Sequence, residues 1–260
     1  MSLKIGLNLS KYYSINFDVA KRSKKKIKFI IIHYTGMKKE SYAIKRLCDP
    51  KAKVSSHYFI KNNGKILNLV PDLYKAWHAG ISYWKNYHSL NQYSIGIEIN
   101  NPGHDNIYKK FSPKQINSLI KLLRFLIKKY KINKNNVLGH SDISPDRKKD
   151  PGEKFPWKKL ANHNLCKWHK LSENKIMKCR NLKVNKFEKK LFFNNLRIIG
   201  YLKLSKKNSI STNIPRQYCI WTFRMMVLSC RAIVKRMSCS SCILIVENKK
   251  RKQLVWQISI

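Results

Sequence analysis

Four residues stand out by chemical type and by position: His33, Glu98, His140 and Asp150. Two imidazoles and one carboxylate make a borderline ligand set that leaves a fourth position open, as a catalytic zinc requires. Such an ion lowers the pKa of the water it polarises to about 7. Glu98 then reads as the general base that takes the water's proton and passes it to a leaving amine. Lys148, close before Asp150 in the chain, supplies a cation for the oxyanion of a tetrahedral intermediate. The chemistry implied is metal-assisted amide hydrolysis. Each residue also has a plainer reading, because a histidine at a strand end is commonly structural and a glutamate in a strand often faces water.

These residues need elements to bring them together. His140, Lys148 and Asp150 share the stretch LGHSDISPDRKKDPGEKFPW at 138–157, where prolines 145, 151 and 156 stiffen a loop suited to holding a cation. Asp142 and Asp146 are expected to brace it through turn hydrogen bonds. The run IKFIIIH at 27–33 is β-branched and apolar, which predicts a buried strand with His33 at its end. Strand ends are where α/β proteins commonly keep their site residues. YSIGIEI at 93–99 predicts a second strand carrying Glu98, and a brief strand at 137–139 ends at His140. Ser112-Pro113-Lys114-Gln115 is a capping sequence, and apolar residues continue at helical spacing from 116 to 130. The pattern predicts an amphipathic helix over 113–130. A short helix is expected at 40–48, closed by Asp49-Pro50, and a hairpin around Asn62-Asn63-Gly64. Residues 77–92 mix aromatic and polar types without a period and read as a loop.

Composition bounds the rest. The 260 residues are 43% hydrophobic and 11% aromatic, enough for a packed core. A formal charge of +42 favours polyanions such as nucleic acid, anionic lipid or an acidic wall polymer. The lysines are spread along the chain, which an AT-rich coding sequence would also produce. No nucleic-acid motif or aromatic platform accompanies them, so a specific nucleic-acid partner is not expected. No apolar stretch is long enough to span a membrane, and the first thirty residues lack an apolar signal-peptide core. Of seven cysteines only Cys48 precedes position 166, and the lone Cys239/Cys242 pair has no second pair to complete a zinc site.

Five motifs change the weight of the functional reading. IIIHYTG, SSHYFIKNNGKILNLV, AWHAG, NQYSIGIEINNPG and VLGHSDISPDRKKDPGEKFPW occur in that order over about 27–160. Together they closely resemble the zinc-dependent type 2 N-acetylmuramoyl-L-alanine amidases, the AmpD-like family that shares its fold with peptidoglycan recognition proteins. The resemblance implies one zinc ion per chain, with ligands at His33, His140 and Asp150. It implies Glu98 as catalytic acid/base and Lys148 as the catalytic cation. It implies hydrolysis of the amide between N-acetylmuramic acid and L-alanine in peptidoglycan or muropeptides. The complete metal set favours an enzyme over the alternative, a peptidoglycan binder without turnover. The implied fold is α/β, a mixed central β-sheet flanked by helices, with a small irregular or degraded helical region at the C-terminus.

The expected organisation is a basic, solvated lead-in at 1–26, a catalytic domain at 27–160, a linker at 161–186 and a C-terminal region at 187–260. FEKKLFFNNLRIIGY faintly resembles the opening helix of a peptidoglycan-binding module. The residues beyond about 204 lack the helical period and turns to continue it, as a shifted reading frame near that point would leave them. Trp77 and His78 are expected to line the substrate groove. His57 reads as a core residue or as one that stands behind a ligand, and His88, His104, His163 and His169 as surface residues. A wall substrate and the positive charge point to a secreted or periplasmic protein, although no signal peptide is visible; recycling of soluble fragments would make it cytoplasmic.

Overall fold

The computed structural model describes residues 12–168 and 200–201, with isolated positions at 174 and 190. In chain order the regular elements are β1 (Phe17–Asp18), β2 (Phe29–Tyr34), α1 (Glu40–Cys48), β3 (Tyr58–Ile60), β4 (Ile66–Asn68), β5 (Lys75–Ala76), β6 (Tyr83–Trp84), β7 (Tyr87–His88), β8 (Ser94–Ile99), α2 (Pro113–Tyr130), β9 (Val137–Gly139), α3 (His140–Ile143) and α4 (Trp157–Asn162). Five strands form the central sheet in the order β4-β3-β8-β2-β9. Only the β3–β4 hairpin is antiparallel, and the other pairs are parallel. The sheet is therefore mixed and flanked by helices, in agreement with the expected α/β class.

The two long strands divide their residues by face. Ile30 and Ile32 of β2 join Ile95, Ile97 and Ile99 of β8 in a core under Leu119, Leu122, Leu123 and Leu126 of α2. Burying each of these side chains contributes about 1.5–3 kcal/mol. Phe29 and Ile31 point to the other face and pack with Ala79, Leu90, Leu138 and Ile143. His33 follows them in the strand's period of two. On β8 the same alternation leaves Ser94, Gly96 and Glu98 on that second face, since the parallel register pairs them with Phe29, Ile31 and His33. Helix α2 starts as its capping box predicts: Ser112 Oγ accepts from the Gln115 amide, and Gln115 Oε1 accepts from the Ser112 amide. Gly64, at φ +85°, makes the β3–β4 turn, a left-handed conformation that glycine adopts without steric cost.

Four expectations need correction. The lead-in at 1–26 is not wholly solvated: β1 pairs with β5, and Arg22 is 4% exposed. Its guanidinium donates to the carbonyls of Asp72 and Asn91, which a buried cation needs. The loop at 77–92 contains the small β6–β7 hairpin. The stiff stretch at 138–157 is not all loop: one helical turn, α3, follows its first two residues, and α4 starts at its last, Trp157. The core also continues past 160, because Leu165 and Cys166 are buried in the α2-side cluster. The C-terminal region at 187–260, most of the linker and Cys239/Cys242 lie outside the described residues apart from the positions named above.

Candidate metal centre and active site

The site grows out of strand register. Pairing of β2 with β8 sets His33 directly beside Glu98 at the carboxyl ends of parallel strands. Pairing of β2 with β9 runs to Ile32 opposite Gly139, so His140 emerges level with His33. Asp142 Oδ2 accepts from the Gly139 amide at 2.7 Å and holds the start of α3. The loop then folds back, and the Ser141 amide donates to the Asp150 carbonyl at 2.9 Å. That return brings Asp150 to the two histidines.

Three side-chain atoms converge there. His33 Nδ1 lies 2.9 Å from His140 Nδ1 and 3.1 Å from Asp150 Oδ2, and His140 Nδ1 lies 3.1 Å from the same oxygen. All three residues are buried. His140 Nε2 faces the Ala79 carbonyl at 3.1 Å, which accepts only, so neutral His140 carries its lone pair on Nδ1. Lone pairs facing one another at this range repel unless a cation sits among them. Two imidazole nitrogens and a carboxylate oxygen are the donor set that zinc takes. The proton affinities agree with ligands ready to bind. Burial, and then the neighbouring His140, hold His33 down to about 4. Burial alone would raise Asp150, but His140 and His33 outweigh it and keep the carboxyl well below the usual range.

Glu98 is half-buried, and its Oε2 has no hydrogen-bond partner among the described residues. Desolvation, and then the charge of Asp150, push it up to about 8, with Lys148 opposing. Lys148 is half-buried, and its charge is felt at both Glu98 and His33. The structure thus brings together His33, Glu98, His140, Lys148 and Asp150.

The remaining expectations fall differently. Trp77 is half-buried, its indole Nε1 donating to Asp18 Oδ1 at 2.6 Å. His78, expected on the groove wall, is 8% exposed and sits beneath His33, with its Nδ1 3.0 Å from His33 Nε2. His57 is fully buried, as a core residue should be, and accepts from the Gly96 amide at Nδ1. His104, expected on the surface without partners, links Tyr34 to Glu153 through contacts of 2.8 Å at each ring nitrogen. Sequence reasoning also missed Arg147, which donates to the carbonyls of Ala79 and Ile81 and ties the site loop to the AWHAG segment. A guanidinium in a basic triplet carries no signal for that role.

Comparison with known proteins identifies relatives in sequence and in fold. The chain is 42% identical over 152 residues to the N-acetylmuramoyl-L-alanine amidase AmiD of Escherichia coli, covering 54% of each protein. It therefore spans about half the length of that relative. It is 32% identical over 154 residues to the 1,6-anhydro-N-acetylmuramyl-L-alanine amidase AmpD of Haemophilus influenzae, covering 52% of this chain and 82% of AmpD. The structure of AmiD from E. coli in complex with the substrate anhydro-N-acetylmuramic acid-L-Ala-D-gamma-Glu-L-Lys superposes with a TM-score of 0.60 at 33% identity, covering 72% of this chain and 77% of that one. AmpDh3 of Pseudomonas aeruginosa, solved with anhydromuramic pentapeptide, gives 0.63 at 26% identity over 82% of this chain and 89% of its own. The family model described as N-acetylmuramoyl-L-alanine amidase matches residues 23–153, a span that takes in every candidate ligand, and the chain belongs to that family.

Proposed function

We propose that this chain hydrolyses the amide bond between N-acetylmuramic acid and L-alanine in peptidoglycan or its muropeptide fragments, with one zinc ion held by His33, His140 and Asp150. The observation that carries the reading is the convergence of three lone-pair atoms beside a carboxylate oxygen that has no partner of its own. Zinc, when bound, supplies a Lewis acid and lowers the pKa of water in its shell to about 7.

The chain's own groups do the remaining work. Glu98 Oε2, without a hydrogen-bond partner among the described residues, accepts the proton of the attacking water and returns it to the nitrogen of the departing L-alanine. Its proton affinity near neutrality lets one group do both, because neither transfer is strongly uphill. Lys148 places an ammonium near the developing oxyanion and stabilises it in a site with little water. Asp150 stays ionised beside it, and His33 stays neutral because its buried ring cannot hold a second charge cheaply. The partly exposed Trp77 forms a wall for the sugar or stem peptide.

The charge of +42 supports action on anionic wall material outside the cytoplasm. No helix among the described residues is long and apolar enough to cross a membrane. The test is zinc-loaded protein incubated separately with purified sacculi and with soluble anhydromuropeptide, and mass spectrometry for free stem peptide. Release from either substrate, lost on chelation and in Glu98→Gln, is the expected result; binding without release would overturn the enzymatic reading. Activity on the soluble fragment alone would move the protein to wall recycling.

A further inference from the structure

His78, the histidine of AWHAG, takes part in none of the steps above, yet it is built into the fold with care. Its ring lies against the face of β8 that carries Ser94, Gly96 and Glu98. A Cβ on Gly96 would meet that ring, 2.6 Å from Cδ2 and 2.7 Å from Nδ1, so glycine at 96 is what admits it. One ring nitrogen faces a candidate ligand, Nδ1 lying 3.0 Å from His33 Nε2. The other, Nε2, lies 3.2 Å from Ser94 Oγ. Ser94 Oγ in turn donates its only proton to the Leu90 carbonyl at 2.6 Å.

The direction of this chain of bonds is set at its end. A carbonyl accepts only, so Ser94 has no proton left and must accept from His78 Nε2–H. A neutral imidazole carries one N–H, so His78 Nδ1 is an acceptor, and His33 Nε2–H donates to it. The lone pair of His33 is thereby placed on Nδ1, the atom that faces His140 Nδ1 and Asp150 Oδ2. With the opposite order His33 would carry a proton on Nδ1, aimed into the ligand cluster and unable to bind a cation. His140 reaches the same tautomer in one step, through the Ala79 carbonyl.

We propose that Ser94 and His78 are positioning residues that set the tautomer of His33 through two successive hydrogen bonds, on the seat that Gly96 leaves open. A neutral histidine can donate or accept at either nitrogen, so His78 alone would leave His33 undecided. The serine anchored to Leu90 removes that freedom. Partners of this kind typically change metal affinity about 10- to 100-fold when lost. The inference rests on the metal-centre reading, but the tautomer itself is observable without metal.

The experiment uses the full chain labelled with 15N at histidine, metal-free and at neutral pH. Long-range proton–nitrogen correlation is expected to show both His33 and His78 protonated at Nε2. A proton on His33 Nδ1 in the folded wild type overturns the proposal. Zinc affinity is then measured by competition with a chromophoric chelator. Ser94→Ala is expected to mix the tautomers of both rings and to weaken zinc about 10- to 100-fold. His78→Asn, whose carboxamide oxygen replaces the Nδ1 acceptor, is expected to bind zinc close to wild type, whereas His78→Leu shows the full loss. Unchanged tautomers and affinity in folded Ser94→Ala, or equal losses in His78→Asn and His78→Leu, would sink the idea. A wild-type chain that does not bind zinc would remove the metal-centre reading alone, and the metal-free spectra would still decide the relay.

Discussion

Two carboxylates in this molecule, Asp72 and Glu98, have opposite fates. Asp72 accepts from Tyr58 through Oδ1 at 2.6 Å, and from Tyr130 and Lys129 through Oδ2 at 2.6 and 2.8 Å. Its carbonyl accepts from Arg22. Burial would raise its pKa, but the bonds from Lys129, Tyr130 and Tyr58 outweigh that and hold it below the usual value. Glu98 has one oxygen without a hydrogen-bond partner among the described residues, and desolvation, then the charge of Asp150, push it up to about 8. A polar cluster whose bonds are complete stabilises a fold. A cluster with an orphaned acceptor and converging lone pairs costs stability, and that cost is what leaves it available for chemistry.

The sharpest way to break this contrast is Glu98→Gln, which is expected to lower hydrolysis about 10³-fold. The same change should raise the melting temperature of the metal-free protein at pH 7 by about 3 °C. The sign comes from its raised pKa: stability is present below the ordinary value near 4.5 and is lost as pH rises toward about 8. Glutamine removes that loss, and calorimetry across pH checks it. Asp72→Asn probes the other cluster. It leaves the Tyr130 hydroxyl and Lys129 without their anionic acceptor and should cost about 3 kcal/mol in urea unfolding, with zinc affinity unchanged.

A third effect separates the clusters by ligand. Zinc at about 100 times its Kd should stabilise the fold by about 2.7 kcal/mol, seen as a higher melting temperature. Asp150→Asn should abolish that shift while Asp72→Asn keeps it. The smallest effect is acid lability from His57, which burial, and then Arg22, hold down to about 3. Its neutral form contributes stability above about 6.5 that is lost as pH falls toward the folded value, roughly 2 kcal/mol by pH 5. Glu98 changes in the opposite sense over this window, so the loss is best measured in the Glu98→Gln background. Absence of any acid loss there would show that His57 is protonated in the fold.

Much of the frame is legible in the sequence. The apolar runs at 27–33 and 93–99 became β2 and β8, and the capping sequence at Ser112 placed α2 from its first residue. The five motifs in order named the family and its candidate ligands. SIGIEI also holds a further signal. Its alternation puts Ile95, Ile97 and Ile99 on one face and Ser94, Gly96 and Glu98 on the other, so a small residue and a hydroxyl were marked for something on the side of the site.

What covers that face is a matter of contacts far apart in the chain. His78 reaches His33 across 45 positions, and Arg22 reaches the Asp72 carbonyl across 50. No local pattern distinguishes a histidine that lines a groove from one that lies beneath a ligand, nor the one buried arginine of a basic run from its exposed neighbours. His104 and Glu153 likewise find each other only because folding brings their loops together across 49 positions. The sequence alone determined the elements, the family and the residues able to do the chemistry, because apolar period, capping and motif order are local properties. The tertiary structure alone decided which of those polar groups are satisfied and which are left open, because hydrogen bonding in a buried site depends on partners that only folding brings within 3 Å or so.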